Sequence, residues 1–240
     1  MNKTTQLKKL LLQRKALPCP GVYDALSARM VEYCGFQACQ ISGFGVSASS
    51  LGMTDASFTS LEEIVRITSN IVRAVDIPVM TDADTGYGNA VNVWWTTKRL
   101  EETGAAGMNL EDQCFPKRCG HMAGKQLISL GEMVGKIRAA VDAKRDPDFV
   151  INARTDAAYV CGIEEAIRRG NAYLEAGADM VFVESPASAE EVKRAIEQIK
   201  GPVSINMLEG GRTPMLTFEE LRQLGAARVS CPMFTSLIAA

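Results

Sequence analysis

The sequence predicts an α/β barrel of the TIM type, in which eight parallel strands alternate with helices. Short apolar runs rich in Val, Ile, Phe and Met alternate with longer segments of helical period, which is the pattern of βα units around a parallel sheet. Roughly eight such runs occur within 240 residues, a length that barrels of this kind commonly have as one domain. We therefore expect residues 1–240 to form a single barrel domain.

The apolar runs set the predicted strands in chain order. They are Pro20–Asp24, Ala38–Ser42, Pro78–Asp82, Gly107–Glu111, Phe149–Arg154, Met180–Glu184, Val203–Met207 and Arg228–Cys231. Gly35, Gly104, Gly177 and Gly225 each follow a helical segment and come just before a strand. Because glycine adopts the left-handed conformation at a helix C-terminus at the least cost, these positions indicate αβ junctions.

Two helices have clear start signals. A helix over Leu61–Ala74 is predicted by Ser60 with Glu63 three residues later, and a second follows Ser188, because such pairs form capping boxes. After the eighth strand only nine residues follow, too few for a closing helix. Either the chain stops early or another element closes the barrel.

Composition excludes several classes of protein. Hydrophobic residues make up 47%, charged residues 22%, and the net charge is -2, as in ordinary globular proteins. No apolar run approaches about 18 residues, no export signal is apparent, and no basic stripe would attract nucleic acid. Seven cysteines without C-x-x-C spacing favour reduced thiols. We expect a cytoplasmic protein without nucleic-acid or membrane partners.

Acidic residues recur at the predicted C-terminal ends of strands, which converge on one mouth of a barrel. They are Asp82, Asp84, Glu111, Asp112, Asp156 and Glu184. Crowded carboxylates repel one another unless a cation lies among them, and oxygen ligands suit Mg²⁺ or Mn²⁺. The single histidine excludes a zinc site built from several His ligands. Alternatively, Asp112 and Asp156 serve only as helix N-caps.

The Asp82-Ala83-Asp84 pair gives the stronger metal signal. Alternate residues of an extended segment point the same way, so both carboxylates would share one side. The following glycines, Gly86 and Gly88, do not complete a dinucleotide-binding pattern, because Val91 stands where the third glycine belongs.

The segment 116–121 carries a second chemical signal. Cys119 lies next to Lys117 and Arg118 and close to His121, and neighbouring cations lower a thiol pKa and attract anions. A surface loop could show the same residues by chance. Arg154 either binds an anion at the mouth or forms a structural salt bridge with a nearby acid.

Several of these segments together resemble the isocitrate lyase and phosphoenolpyruvate mutase superfamily. The resemblance covers essentially the whole chain and is closest to the 2-methylisocitrate lyase and 2,3-dimethylmalate lyase branch. The motifs that carry it are the segments 20–24, 42–46, 82–88, 111–113, 117–121 and 153–156. The Lys-Arg-Cys-Gly-His segment discriminates best, because the carbon–carbon lyases of the superfamily carry it.

The resemblance implies a role for each matching residue. Asp82, Asp84 and Glu111 would hold Mg²⁺, with Asp55 held through water. Substrate would contact Ser42, Gly43, Phe44, Lys117, Arg118, Gly120, His121 and Asn206. Cys119 would act as the proton donor, and Arg154, Tyr23 and Glu184 would complete the catalytic set, with the hydroxyl base left open among Tyr23, Glu184 and a metal-bound hydroxide.

The implied activity is cleavage of a 2-hydroxy di- or tricarboxylate to a pyruvate-type 2-oxoacid and a carboxylate. The alternatives are a phosphonomutase or an oxaloacetate hydrolase or decarboxylase of the same superfamily, or a barrel that binds metal and ligand without catalysis. Phe44 replaces a small residue and Asn109 replaces a histidine of methylisocitrate lyases, which favours smaller alkylmalates. The resemblance also implies a homo-oligomer, with four subunits as the expected number, whose C-terminal helix is missing here or swapped between subunits.

Overall fold

The computed structural model describes residues 1–119 and 122–232. Eight parallel strands form one closed barrel in sequence order, and β1 closes on β8 with Leu17 opposite Arg228. The predicted α/β barrel is confirmed. The strands are β1 (Leu17–Val22), β2 (Cys39–Ile41), β3 (Val79–Asp82), β4 (Gly107–Glu111), β5 (Val150–Thr155), β6 (Met180–Val183), β7 (Val203–Asn206) and β8 (Arg228–Cys231).

The helices surround this barrel and join its strands. They are α1 (Lys3–Leu12), α2 (Ala25–Tyr33), α3 (Gly43–Leu51), α4 (Leu61–Ala74), α5 (Ala90–Glu101), α6 (Leu130–Ala143), α7 (Ala157–Val160), α8 (Ile163–Glu175), α9 (Ala189–Gln198) and α10 (Phe218–Leu224). The helix α1 precedes the barrel, and its Leu7 and Leu11 are buried with Leu17, Val150 and Met180. These side chains close the N-terminal end of the barrel, so that access is from the opposite end.

The local start and stop signals act as the sequence predicts. Ser60 and Glu63 form a reciprocal capping box at the start of α4, and Ser188 caps α9. Gly35, Gly104, Gly177 and Gly225 all have positive φ angles. Each ends a helical segment in the left-handed region that glycine enters without a Cβ clash.

The prediction for the first strand was displaced along the chain. The strand begins at Leu17 rather than Pro20 and ends at Val22. Asp24 lies beyond it, where its Oδ1 accepts a hydrogen bond from the Ser27 backbone and caps α2. The strand contains Pro18 and Pro20, which lack the N–H that a ladder hydrogen bond uses, so its sequence shows a weak strand signal.

The middle of the barrel is polar. Arg228 on β8 donates to Ser204 on β7 and contacts Met80 on β3, while Gln40 on β2 donates to Ser230 on β8. Because β2 and β3 are not neighbours of β8 in the sheet, the contacts that β8 makes with them pass through the interior of the barrel. A polar layer therefore lies between the apolar N-terminal end and the open mouth.

The prediction about a missing or swapped C-terminal helix concerns residues 233–240, which lie outside the described residues. One domain over residues 1–240 likewise stays a prediction. Within the described ranges, the helices lack the combination of length and apolar character that crossing a bilayer requires.

Candidate active site

Four acidic side chains gather around one ammonium group at the C-terminal end of the barrel. Lys117 Nζ lies 3.1 Å from Asp55 Oδ2, 3.9 Å from Asp82 Oδ2 and 3.8 Å from Asp84 Oδ1. Glu111 ends β4 beside them and is 3% exposed. The structure thus brings together the four residues predicted as metal ligands.

The Asp pair reaches this position by a route that the sequence did not predict. Asp84 is not in an extended segment, because its φ angle is +52° and its backbone N–H donates to Asp82 Oδ1. A turn after β3, rather than strand alternation, therefore brings both carboxylates to Lys117. Gly43 allows the close approach, since a Cβ there would overlap Asp82 Oδ2.

Burial and crowding perturb these groups strongly. Burial raises the pKa of Asp84 to about 6, and Asp82 and Asp55 add to the rise while Lys117 opposes it. Burial also raises the pKa of Glu111 well above its usual value. For Lys117, burial acts to lower the pKa, but Asp84 and the other acids outweigh it and raise the pKa well above its ordinary value.

The chemistry of the donor set fits a divalent cation. Among the described residues, six carboxyl groups at the mouth form ion pairs with three cationic side chains, so acidic groups outnumber cationic ones. Glu111 Oε1 is buried and has no hydrogen-bond partner within the described part of the chain. Among residues 1–119 and 122–232, however, no three His, Cys, Asp or Glu side chains are arranged so that they could hold a metal as they stand. Ligation would require the acids to draw together.

Arg154 joins the acid cluster to the opposite wall of the mouth. Its Nε lies 2.9 Å from Asp156 Oδ2 and 3.3 Å from Glu111 Oε2, and its Nη1 lies 3.4 Å from Glu184 Oε2. The mouth of the barrel contains a cavity, and Arg154 lines it. Since Arg154 also forms ion pairs, both hypotheses about this residue agree with its position. Such pairing fixes the guanidinium in one orientation.

Asp156 and Asp112 do not cap helices; both are buried carboxylates that accept hydrogen bonds from residues around the site. Asp156 precedes α7 but makes no capping hydrogen bond. It accepts hydrogen bonds from Arg154 and from Lys125 Nζ, at 2.6 Å for the latter. Asp112 is also fully buried, and it accepts from Thr155, Tyr173 and the backbone of Asp156. Sequence reasoning missed Lys125, because nothing in its neighbourhood along the chain indicates an acid partner.

The start of α3 faces the cavity from the other side. Ser42 is the N-cap, and its Oγ accepts from the Gly45 backbone N–H. Ser42, Gly43 and Phe44 all line the cavity. The first N–H groups of a helix lack intrahelical partners and carry partial positive charge, so this end of α3 suits an anionic oxygen.

The Lys-Arg-Cys segment divides between two cavities. Lys117 and Cys119 line the cavity that Arg154 also lines, whereas Arg118 lines only a neighbouring one, which Lys117 also borders. Arg118 Nη1 donates to the Ala123 carbonyl. The expectation that Arg118 binds substrate therefore finds no support in its position. Gly120 and His121 lie outside the described residues.

The remaining candidates separate in the same way. Glu184 and Asn206 line the same cavity as Cys119 and Arg154, but Tyr23 does not. Tyr23 packs against the hydrophobic core beside Gly45. Residues that line the cavity but escaped prediction include Gln40, Phe182, Leu208, Ser230 and Pro232. Most of these lie on strands that carry no charged signal in the sequence.

Curated relatives match over most of this chain. A 2,3-dimethylmalate lyase of Eubacterium barkeri is 49% identical over 225 residues, covering 94% of this chain and 78% of that protein. A 2-methylisocitrate lyase of Aeropyrum pernix is 44% identical and covers 95% and 73%. A chloroplastic carboxyvinyl-carboxyphosphonate phosphorylmutase of Arabidopsis thaliana is also 44% identical, with coverage of 95% and 69%.

Solved structures give the same grouping. An oxaloacetate acetylhydrolase with 3,3-difluorooxalacetate superposes with a TM-score of 0.95 at 36% identity, covering 99% of this chain and 82% of that one. A 2,3-dimethylmalate lyase, described as a PEP mutase/isocitrate lyase superfamily member, gives 0.94 at 36%, covering 100% and 82%. A phosphonopyruvate hydrolase with oxalate and Mg²⁺ gives 0.89 at 32%, covering 100% and 83%.

The family model described as phosphoenolpyruvate phosphomutase matches residues 7–240. Both the sequence relatives and the structural neighbours lie within the PEP mutase/isocitrate lyase superfamily. The resemblance predicted from the sequence motifs is confirmed: the chain belongs to the phosphoenolpyruvate phosphomutase family.

Proposed function

We propose that this protein cleaves a carbon–carbon bond in a 2-hydroxy di- or tricarboxylate, giving a pyruvate-type 2-oxoacid and a carboxylate. The predicted enzyme class, a carbon–carbon lyase, agrees with the relatives named as lyases. The observation that carries the specific proposal is one cavity lined by Cys119, by Arg154 and by three of the four clustered acids, Asp55, Asp82 and Glu111. Candidate substrates are 2,3-dimethylmalate, 2-alkylmalates and 2-methylisocitrate.

Asp82, Asp84, Glu111 and Asp55 are the residues that would hold Mg²⁺ or Mn²⁺. When bound there, such an ion acts as a Lewis acid that lowers the pKa of a substrate hydroxyl. A structural neighbour at 32% identity carries oxalate and Mg²⁺, which supports this assignment. The excess of carboxylates over cationic side chains at the mouth supports it independently.

The substrate's 2-oxyacid end would bind between the start of α3 and Arg154. The N–H groups of Gly43 and Phe44 lie in the first turn of α3, where helix N–H groups lack intrahelical acceptors, and they suit its oxygens; the guanidinium suits its carboxylate. Asn206 and Glu184 lie beneath this position, with Asn206 Nδ2 3.5 Å from both Glu184 oxygens. Lys117 would offset the charge of the acids that surround it.

Cleavage requires a base for the substrate hydroxyl and an acid for the departing carbon. As the hydroxyl proton leaves, its electrons form the 2-oxo group, and the broken carbon–carbon bond leaves its electron pair on the other fragment. Cys119 would donate a proton to that carbon. Glu184 is the better candidate for the base, because it lines the cavity and Tyr23 does not. Gly120 and His121 would bind the second carboxylate.

A phosphonomutase or an oxaloacetate hydrolase is the alternative within the same family. The Arabidopsis relative and the oxaloacetate acetylhydrolase neighbour carry such names. These reactions also use an oxyacid substrate, so the acid cluster alone does not separate them. Cys119 in the cavity favours the lyase, because a positioned thiol supplies the proton that cleavage of a carbon–carbon bond demands.

Steady-state assays over a substrate panel test this proposal. The panel comprises 2,3-dimethylmalate, 2-alkylmalates, 2-methylisocitrate, isocitrate, oxaloacetate and phosphoenolpyruvate. We expect the smaller alkylmalates to give the highest kcat/KM, because Phe44 narrows the cavity and Asn109 has no ionisable group. The Phe44→Ala variant should shift preference toward 2-methylisocitrate by about tenfold or more, as a single apolar contact commonly does. A clear preference of the unaltered protein for isocitrate would contradict this argument.

We also propose that the protein is a homo-oligomer, with four subunits as the expected number. The support is an apolar face on α2, where Leu26, Met30 and Tyr33 are 68%, 55% and 93% exposed. Exposed apolar patches on helices often mark subunit contacts. Light scattering tests this, and a clean monomer at micromolar concentration would contradict it. A cytoplasmic location stays a prediction.

A further inference from the structure

Arg228 is a fully buried guanidinium beneath the candidate active site. It ion-pairs with no carboxylate among the described residues, and its neighbours are neutral. Its Nε donates to Ser204 Oγ at 2.9 Å, and its Nη2 lies 3.5 Å from Asn109 Oδ1. A buried charge without an acid partner is costly, so its contact with Asn109, which lines the cavity, calls for an explanation.

Asn109 and Asn152 share one amide–amide hydrogen bond, and nothing within this pair decides which residue is the donor. Asn152 Nδ2 donates to Asn109 Oδ1 at 2.7 Å, while Asn152 Oδ1 is buried and finds no hydrogen-bond partner in residues 1–119 and 122–232. If both amides rotated by half a turn, Asn109 Nδ2 would donate to Asn152 Oδ1. The reversed pair would again have one hydrogen bond, and Asn152 Nδ2 would replace Asn152 Oδ1 as the buried atom without a partner. The two arrangements therefore have similar energies when only these two side chains are considered.

Arg228 removes this symmetry. A guanidinium has only donor groups, so it attracts Asn109 Oδ1, whereas a reversed Asn109 would place an amide donor against it. With Oδ1 shared between Arg228 and Asn152, the Nδ2 of Asn109 has no acceptor among the described residues, and Asn109 itself lines the cavity. An amide donor therefore faces the place where an anionic ligand would bind.

We propose that Arg228 is a positioning residue that holds Asn109 with its amide donor toward the cavity, where it selects a carboxylate oxygen of the substrate. This inference rests on the proposed function for the identity of the ligand. It does not depend on that function for the orientation of the two amides. Arg228 itself would not touch the substrate.

Neutron diffraction from deuterium-exchanged crystals tests the orientation directly, because deuterium distinguishes the amide nitrogen from the oxygen. We expect Asn109 Nδ2 to face the cavity in the unaltered protein and the pair to be reversed or mixed in Arg228→Met. The Arg228→Lys variant keeps a donor-only cation and should keep the original orientation, which also covers the case in which Arg228→Met does not fold. Ser204→Ala, which removes only the Nε acceptor, is the matched control and should leave the pair unchanged.

Calorimetric titration with oxalate in the presence of Mg²⁺ gives the second readout. Arg228→Met should weaken oxalate binding about tenfold, and the same substitution in an Asn109→Leu background should cause no further loss. An Asn109 oxygen facing the cavity in the unaltered protein, or one orientation retained in Arg228→Met, would overturn the inference. Equal losses in both backgrounds would overturn it as well. If the protein cleaves no hydroxy acid, the proposed function is contradicted. The neutron data then decide the orientation of the two amides independently of that function.

Discussion

Lys125 Nζ lies 2.6 Å from Asp156 Oδ1, and both side chains are fully buried. The same carboxylate accepts two hydrogen bonds from Arg154. Burial acts to raise the pKa of Asp156, but Arg154 and Lys125 outweigh it and lower the pKa to about 2. Arg154 also pairs with Glu111 and Glu184, so Lys125 removes part of the negative charge around Arg154 and thereby favours an anionic ligand there.

Replacing Lys125 should therefore affect ligand binding, although Lys125 does not line the cavity that contains Arg154 and Cys119. We expect Lys125→Met to raise KM for a dicarboxylate at least about tenfold and to lower the free energy of unfolding by about 3 kcal/mol, as when a buried ion pair loses one partner. Lys125→Arg should recover part of both losses. Steady-state kinetics and urea unfolding measure these effects, and an unchanged KM in a folded Lys125→Met protein would contradict the role.

Asp84 should make the metal-free protein less stable at neutral pH. Its pKa rises to about 6 in the folded state, so the folded protein holds the proton more tightly than the unfolded chain does. The protonated Asp84 therefore contributes fully to the free energy of unfolding below the pKa of the unfolded chain, about 4. This contribution is lost as the pH rises through the folded pKa of about 6. In chelator, the free energy of unfolding should therefore fall by on the order of 2 kcal/mol between pH 4 and pH 7 from this group.

The matched variant for this test is Asp84→Asn, which cannot ionise. Measured in chelator at pH 7, it should be more stable than the unaltered protein, and the difference should shrink toward pH 4. In the presence of Mg²⁺ the order should reverse, because the variant loses a ligand. Equal pH profiles for the two proteins in chelator would refute the assignment of this titration to Asp84.

Gly43 should be essential for the placement of Asp82. A Cβ at this position would overlap Asp82 Oδ2, so Gly43→Ala should displace that carboxylate and weaken Mg²⁺ affinity at least about tenfold, the loss typical of disturbing a ligand's surroundings. Gly135→Ala is the control, because the space around Gly135 is open and alanine favours a helix interior by about 0.5–1 kcal/mol. Calorimetry with Mg²⁺ should separate the two variants, and equal affinities would count against the close approach.

Cys119 should matter for turnover and not for folding. We expect Cys119→Ser to retain Mg²⁺ affinity and unfolding free energy but to lose turnover by about a hundredfold or more, the usual scale for losing a positioned acid. Cys34→Ser, at an exposed thiol outside the cavity, is the control. Near-normal cleavage by Cys119→Ser would favour the mutase or hydrolase alternative.

The fold could be predicted from the sequence because its signals are local. Apolar runs identify the strands, and glycines such as Gly104 and Gly225 mark junctions where only the backbone conformation matters. The capping box at Ser60 fixes the start of α4 within a single turn. Only the first strand was misplaced, at a segment where two prolines weaken the usual strand pattern.

The site was less predictable, because its contacts join residues that are distant along the chain. The acids at strand ends were identified, but the positive φ of Asp84 and the insertion of Lys117 among three carboxylates depend on the folded loops. Lys125 and Arg228 carry no local signal, since each is recognisable only by what the barrel places beside it.

The central claim is that this cavity cleaves a carbon–carbon bond and protonates the departing carbon. Proton and carbon NMR of 2,3-dimethylmalate incubated with the protein and Mg²⁺ in D₂O tests it most directly. The account predicts stoichiometric pyruvate and a carboxylate with one deuterium at the carbon that was cleaved, with no reaction in chelator. The absence of 2-oxoacid from every hydroxy acid tested, together with interconversion of phosphoenolpyruvate and phosphonopyruvate by ³¹P NMR, would contradict it.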